Sequence, residues 1–145
     1  MSFEHLKKLQ PSATDTIEYV FYDIDGEPTI NVLPATEANK SYHNALLRKN
    51  AKNARRLRAG KLTPQMLSET RNDDRELYAR YVAKSWTGIL HSDGTEATFT
   101  AAECLAFFEA LPNWVFDDLR MFCADPVNFL DDAVSHDEAA DTAGN

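Results

Sequence analysis

Cysteine, glycine and tryptophan are all scarce in this chain of 145 residues, which has two, five and two of them. Two cysteines, Cys104 and Cys123, cannot supply the disulfide framework of a small secreted scaffold, and their apolar neighbours mark them as buried free thiols. The glycines form neither G-x-G-x-x-G nor G-x-x-x-x-G-K-[ST], so no loop of the sequence is built to cradle a phosphate. His5, His43, His91 and His136 are scattered, with no ligand partner one helical turn away, and zinc needs clustered His or Cys. No apolar run approaches the length that crosses a bilayer, and the opening Met1-Ser2-Phe3-Glu4-His5-Leu6-Lys7-Lys8 lacks the apolar stretch of a secretory signal. The expected setting is therefore the cytoplasm of the cell that makes the chain, with no membrane partner.

Catalytic constellations are equally sparse. Asp23-Ile24-Asp25-Gly26 looks like part of a calcium loop. With Gly26 in the sixth position, however, Phe21 and Val32 would have to be the first and last ligands, and neither can bind calcium. Asp117 and Asp118 are adjacent, and neighbours on a helix point in different directions. Ser85 has no nucleophile-elbow signature around it. The reading is a non-enzymatic protein without cofactor or metal.

What the sequence does hold is an uneven charge. Hydrophobic residues make up 43% and charged residues 26%, as in one soluble domain, and the net charge is −8. Up to Glu37 two basic residues face seven acidic ones. Residues 38–61 carry eight basic residues and no acidic one, and in residues 87–145 Arg120 stands alone against twelve acids. A basic segment inside an acidic protein marks either a contact surface for an acidic partner or a helix face that pairs with the protein's own acids. Nucleic acid is a weaker fit, because binders usually show a basic domain, and no RNP motif or heptad-linked basic region is present.

Hydrophobic periodicity predicts a mainly α fold with a small N-terminal β-hairpin and four to six helices in one domain over residues 16–130. A flexible leader over 1–15 precedes it, and a disordered acidic tail over 131–145, dispensable for folding, follows. Thr16-Ile17-Glu18-Tyr19-Val20-Phe21-Tyr22 and the alternating Thr29-Ile30-Asn31-Val32-Leu33 flank the turn signal Asp25-Gly26, which gives a hairpin over 16–33 ended by Pro34. Ala38, Tyr42, Ala45 and Leu46 then share a helical face over about 37–58. That stripe thins just where Arg48, Lys49, Lys52, Arg55 and Arg56 crowd in. Thr63-Pro64 starts another helix, and Asn72-Asp73-Asp74 could break it. Leu77, Tyr78, Tyr81, Val82 and Trp86 extend an apolar stripe that reads as helical throughout. A short hairpin or ordered turn is expected around Ser92-Asp93-Gly94. Thr100-Ala101-Ala102-Glu103 is a capping box, Pro112 separates two helices, and Asp125-Pro126 opens a final short turn holding Phe129.

From Tyr78 onward the chain resembles the tail assembly chaperones of long-tailed phages. The residues that carry the resemblance are Tyr78-Ala79, Val82, Trp86-x-Gly88-Ile89, Asp93-Gly94, Phe99-Thr100, Leu111-Pro112, Phe116-Asp117, Phe122, Asp125 and Asn128-Phe129. The basic helix and the Thr63-Pro64 helix fit the same layout, so the resemblance covers roughly residues 38–130, and the N-terminal hairpin matches less well. The resemblance implies a small helical protein of the host cell cytoplasm, made during infection and absent from the finished particle. Such proteins keep the long tape-measure protein soluble and recruit tail tube subunits, and in many phages a ribosomal frameshift adds an extended form. Here an extension would begin in the acidic tail. Self-association is left open. The alternative readings are a structural neck or head–tail joining component, or a nucleic-acid-binding regulator. Arg48, Lys52, Arg55 and Arg56 are the candidate partner-binding cations. Trp86 and Trp114 are candidate aromatic contacts, although Trp86 also continues the Tyr78–Val82 stripe toward a core.

Overall fold

The computed structural model describes residues 3–58 and 64–130, with the backbone alone for 55–58. The described residues form five α-helices and one small antiparallel sheet: α1 (Phe3–Lys7), β1 (Ile17–Val20), β2 (Thr29–Val32), α2 (Lys40–Arg58), α3 (Pro64–Leu77), β3 (Ala83–Thr87), α4 (Ala101–Ala110) and α5 (Asn113–Ala124). The fold is mostly helical with some sheet. The acidic tail of 131–145 and Thr63 lie outside the described residues. Within the expected leader, α1 is exposed, and the Ser12 amide donates to the Phe129 carbonyl at 3.2 Å.

The N-terminal strands pair as the alternation predicts, Ile17 opposite Val32 and Tyr19 opposite Ile30, with Ile30 and Val32 fully buried. The turn is wider than Asp25-Gly26 alone suggests. Phe21 donates to the Pro28 carbonyl, and six residues loop out beyond that bond, with Gly26 (φ 84°) and Glu27 (φ 45°) both left-handed. Glycine takes that conformation freely, which is why it sits there.

The hairpin is only two thirds of the sheet. β3 adds to β2, giving the order β1-β2-β3. This corrects the expected helix through Trp86. α3 runs unbroken through Asn72-Asp73-Asp74 to Leu77 and widens into one π-helical turn, Tyr78–Val82, closed by the Ala83 amide on the Tyr78 carbonyl. The chain then extends. In β3 only Ala83 and Trp86 are buried, a spacing of three that imitates a helix. The cause is a bulge: Trp86 pairs with Ile30 and Ser85 with Asn31, but Val32 pairs with Ala83, so Lys84 is skipped. The extra residue brings Ala83 and Trp86 onto the same face, over Ile30 and Val32.

Local capping signals hold. Thr100 Oγ1 accepts from the Glu103 amide at 3.0 Å and starts α4, and Pro112 separates α4 from α5. Asn39 caps α2, its Oδ1 accepting from the Tyr42 amide at 3.2 Å, so the helix begins three residues later than the sequence pattern places it. The short hairpin or ordered turn expected around Ser92-Asp93-Gly94 is an ordered turn: the His91 amide donates to the Thr95 carbonyl and the Ala97 amide to the Ile89 carbonyl, both at 2.8 Å, around one bridge between Leu90 and Glu96. A line of aromatic rings, mostly edge to face, runs through the core. It passes from Tyr42 on α2 to Tyr78, Phe116, Phe108 and Phe107, and reaches Phe21 and then Tyr19 of the sheet. Through Tyr42 this line fixes the first half of α2 to the body.

Candidate functional site

The middle of α2 borders a groove of about 230 Å³ whose floor is Ala45, Leu77 and Tyr81. Arg48, Lys49 and Lys52 line one side, Arg80 and Glu76 the other. Arg48 and Lys52 are one helical turn apart and share a face. Arg80 comes from the π-helical turn and lines the groove opposite α2; such turns recur at functional sites. Asn39 holds this junction in place. It is buried, caps α2 with its oxygen, and donates through Nδ2 to the Tyr81 carbonyl at 2.8 Å. One side chain thus sets the spacing between the two walls.

The four cations differ in what they do. Lys49 reaches across to α3, with Nζ 3.1 Å from Glu76 and 3.5 Å from Asp73. It therefore pairs internally, with α3 rather than with the acidic C-terminal half. Arg48, Lys52 and Arg80 are exposed, and no hydrogen bond or ion pair among the described residues engages them. The groove therefore presents three uncommitted positive charges above an apolar floor, which suits a segment carrying carboxylates and an occasional apolar side chain.

Three other basic residues, Arg71, Arg75 and Arg120, serve packing. Arg71 grips Asp117 with two bonds of 3.0 Å, and Arg120 bridges Asp117 and Asp74, joining α3 to α5. Hydrogen bonding from Arg71, with Arg120 adding to it against partial burial, holds the Asp117 carboxyl below its ordinary value. Arg75 is buried over the Phe116 ring. It donates to the Phe108 carbonyl near the end of α4 and to the side chains of Asn72 and Asn113. A cation there complements the negative end of the α4 dipole.

Of the residues singled out in the sequence, Arg48 and Lys52 meet in the groove. Arg55 and Arg56 continue α2, but their side chains lie outside the described residues. Trp86 is 8% exposed, and its indole N–H donates to the Ala97 carbonyl at 2.7 Å. It packs edge to face on Phe99 and Phe107, so it is a core residue and offers no contact surface. Trp114 is 57% exposed on α5 and lines no part of the groove. Sequence reasoning missed Arg80, which lies nearly thirty residues from the others, in a stretch where charges balance; only the fold brings it to α2. Cys104 and Cys123 are free and fully buried. Among the described residues no group of three or more His, Cys, Asp or Glu could hold a metal ion, and no helix is long and apolar enough to cross a membrane.

A family model described as YdaY prophage protein matches residues 37–145, a span that begins just before α2 and leaves β1 and β2 outside it. No curated protein and no solved structure matches the chain.

Proposed function

The chain belongs to the YdaY prophage protein family, and from that premise we propose that it is a tail assembly chaperone, binding the tape-measure protein and tail tube subunits in the host cell cytoplasm. The observation that carries this reading is the groove: three exposed cations, Arg48, Lys52 and Arg80, on an acidic chain. An assembly factor must hold its client and then let it go. Exposed charges favour fast association and modest affinity, which suits that cycle. Trp114 on α5 is a second, separate contact. The likeness of residues 38–130 to tail assembly chaperones supports the same reading, and phage origin agrees with it.

The test is expression of the tape-measure protein of the same phage with and without this chain. Soluble client should accumulate only when the two are made together, and purified particles should lack the chain. A client that is equally soluble alone would overturn the proposal. Stoichiometric presence of the chain in particles would replace it with the structural neck reading.

A further inference from the structure

Helix α5 carries a second unpartnered face. Trp114, Asp118, Met121 and Asp125 follow one another at spacings of four, three and four, which places them on one side of the helix. Trp114 is 57% and Met121 73% exposed, and both acids are exposed as well. No hydrogen bond or ion pair among the described residues engages the Asp118 side chain, and Asp125 uses one oxygen to accept from the Val127 amide at 3.0 Å. We propose that this stripe of one copy docks into the α2–π-turn groove of a second copy, so that the protein associates with itself head to tail.

The two surfaces complement each other in charge and in polarity. The groove offers the cations of Arg48, Lys52 and Arg80 around an apolar floor. The stripe offers two large apolar side chains about 10 Å apart along the helix, with Asp118 between them and Asp125 beyond. An apolar side chain of the stripe therefore meets the floor while the carboxylate beside it meets the walls. Charge sign excludes the exposed apolar pair on α1. Phe3 and Leu6 lie one turn apart there, but Lys7 and Lys8 follow them, and the groove repels cations. Asp117 of α5 is unavailable, because Arg71 and Arg120 hold it. Stripe and groove share no residue, so one copy gives its stripe and receives another's at the same time; contacts between two different patches build rings or chains. A contact this small is weak, with Kd on the order of 0.1 mM, so at about 1 μM protein both surfaces stand open. A client of higher affinity displaces the second copy. That consequence rests on the proposed function, whereas the contact itself does not.

The experiment uses the purified full chain and no client, so that its failure leaves the chaperone proposal standing. In sedimentation equilibrium at about 0.5 mM protein, several times the expected Kd, the average mass should lie well above the monomer's 16.3 kDa. That result is expected at about 0.1 M salt, where charges act over about 10 Å, and the mass should fall toward the monomer at about 1 M, where the range is about 3 Å. Arg48→Gln/Lys52→Gln/Arg80→Gln removes the groove cations, and Trp114→Ala/Asp118→Ala removes the stripe; all five positions are exposed. Each variant should keep the circular dichroism of the parent and remain monomeric by itself. Mixed, the two should form a one-to-one complex, because the first keeps the stripe and the second keeps the groove. A monomeric parent, association of either variant alone to the parent's extent, or a mixture of the folded variants that stays monomeric overturns the proposal.

Discussion

Asn39→Ala is the most informative single change, because one side chain closes two otherwise open ends of the backbone. Its Oδ1 accepts from the Tyr42 amide at 3.2 Å, and removing a helix N-cap costs about 1 kcal/mol. Its Nδ2 donates to the Tyr81 carbonyl at 2.8 Å, inside the π-helical turn where the regular bonding pattern is broken; a carbonyl left without a donor there costs about 1–3 kcal/mol. Together these predict a loss of about 2–4 kcal/mol, or roughly 6–15 °C in Tm for a domain of this length. Asn39→Ser should fall between the parent and Ala, since the hydroxyl can still cap α2 but is too short to reach Tyr81. Urea unfolding with matched slopes measures both. If Asn39→Ala stayed within about 0.5 kcal/mol of the parent, a surface-like effect, the reasoning that Asn39 sets the α2–π-turn junction would be refuted.

Three further outcomes are expected. Burial pushes the Cys104 thiol up to about 12 and Cys123 further in the same direction, so thiol labelling of the native protein should proceed only at the rate of unfolding; rapid labelling without denaturant would contradict the buried placement. Because Asp117 is held below its ordinary value in the folded state, its contribution is present above the unfolded carboxylate value of about 4 and is lost as pH falls through the folded one. Asp117→Asn should therefore flatten the acid limb of a stability–pH curve, and an unchanged limb would show that the Arg71 and Arg120 contacts carry no pH-dependent stability. Fluorescence separates the two tryptophans: with Trp114→Phe the remaining emission, from Trp86, should resist acrylamide, and with Trp86→Phe the emission of Trp114 should be readily quenched. Equal quenching of both would contradict the core placement of Trp86.

Local signals were legible in the sequence wherever one residue satisfies its neighbours. The Thr100 cap, the break at Pro112 and the alternation of Ile30 and Val32 all correspond to features of the fold. The failures share a cause in long-range pairing. Trp86 was read as helical because it continues the stripe of Tyr78 and Val82 at a spacing of four, and the bulge opposite Val32 and Asn31 leaves Trp86 buried with no strand-like alternation to betray β3. A bulge has no signature of its own in β3; it exists only through pairing with a strand more than fifty residues away. Arg80 stayed hidden for the same reason, since nothing near it in sequence marks it as a neighbour of Arg48 and Lys52. Arg75 was invisible because its partners, Phe108 and Asn113, belong to helices formed later in the chain.

The groove can be tested most directly by capture of the co-expressed tape-measure protein with the parent chain and with Arg48→Gln/Lys52→Gln/Arg80→Gln. Exposed charges contribute about 0–1 kcal/mol each to stability, so the variant should melt close to the parent. Its capture of client should nevertheless fall sharply at low salt, with the difference between the two proteins shrinking as salt is raised. Undiminished capture by a folded variant at low salt would contradict the account and move the binding surface elsewhere, with the exposed Trp114 face of α5 the next to be tested.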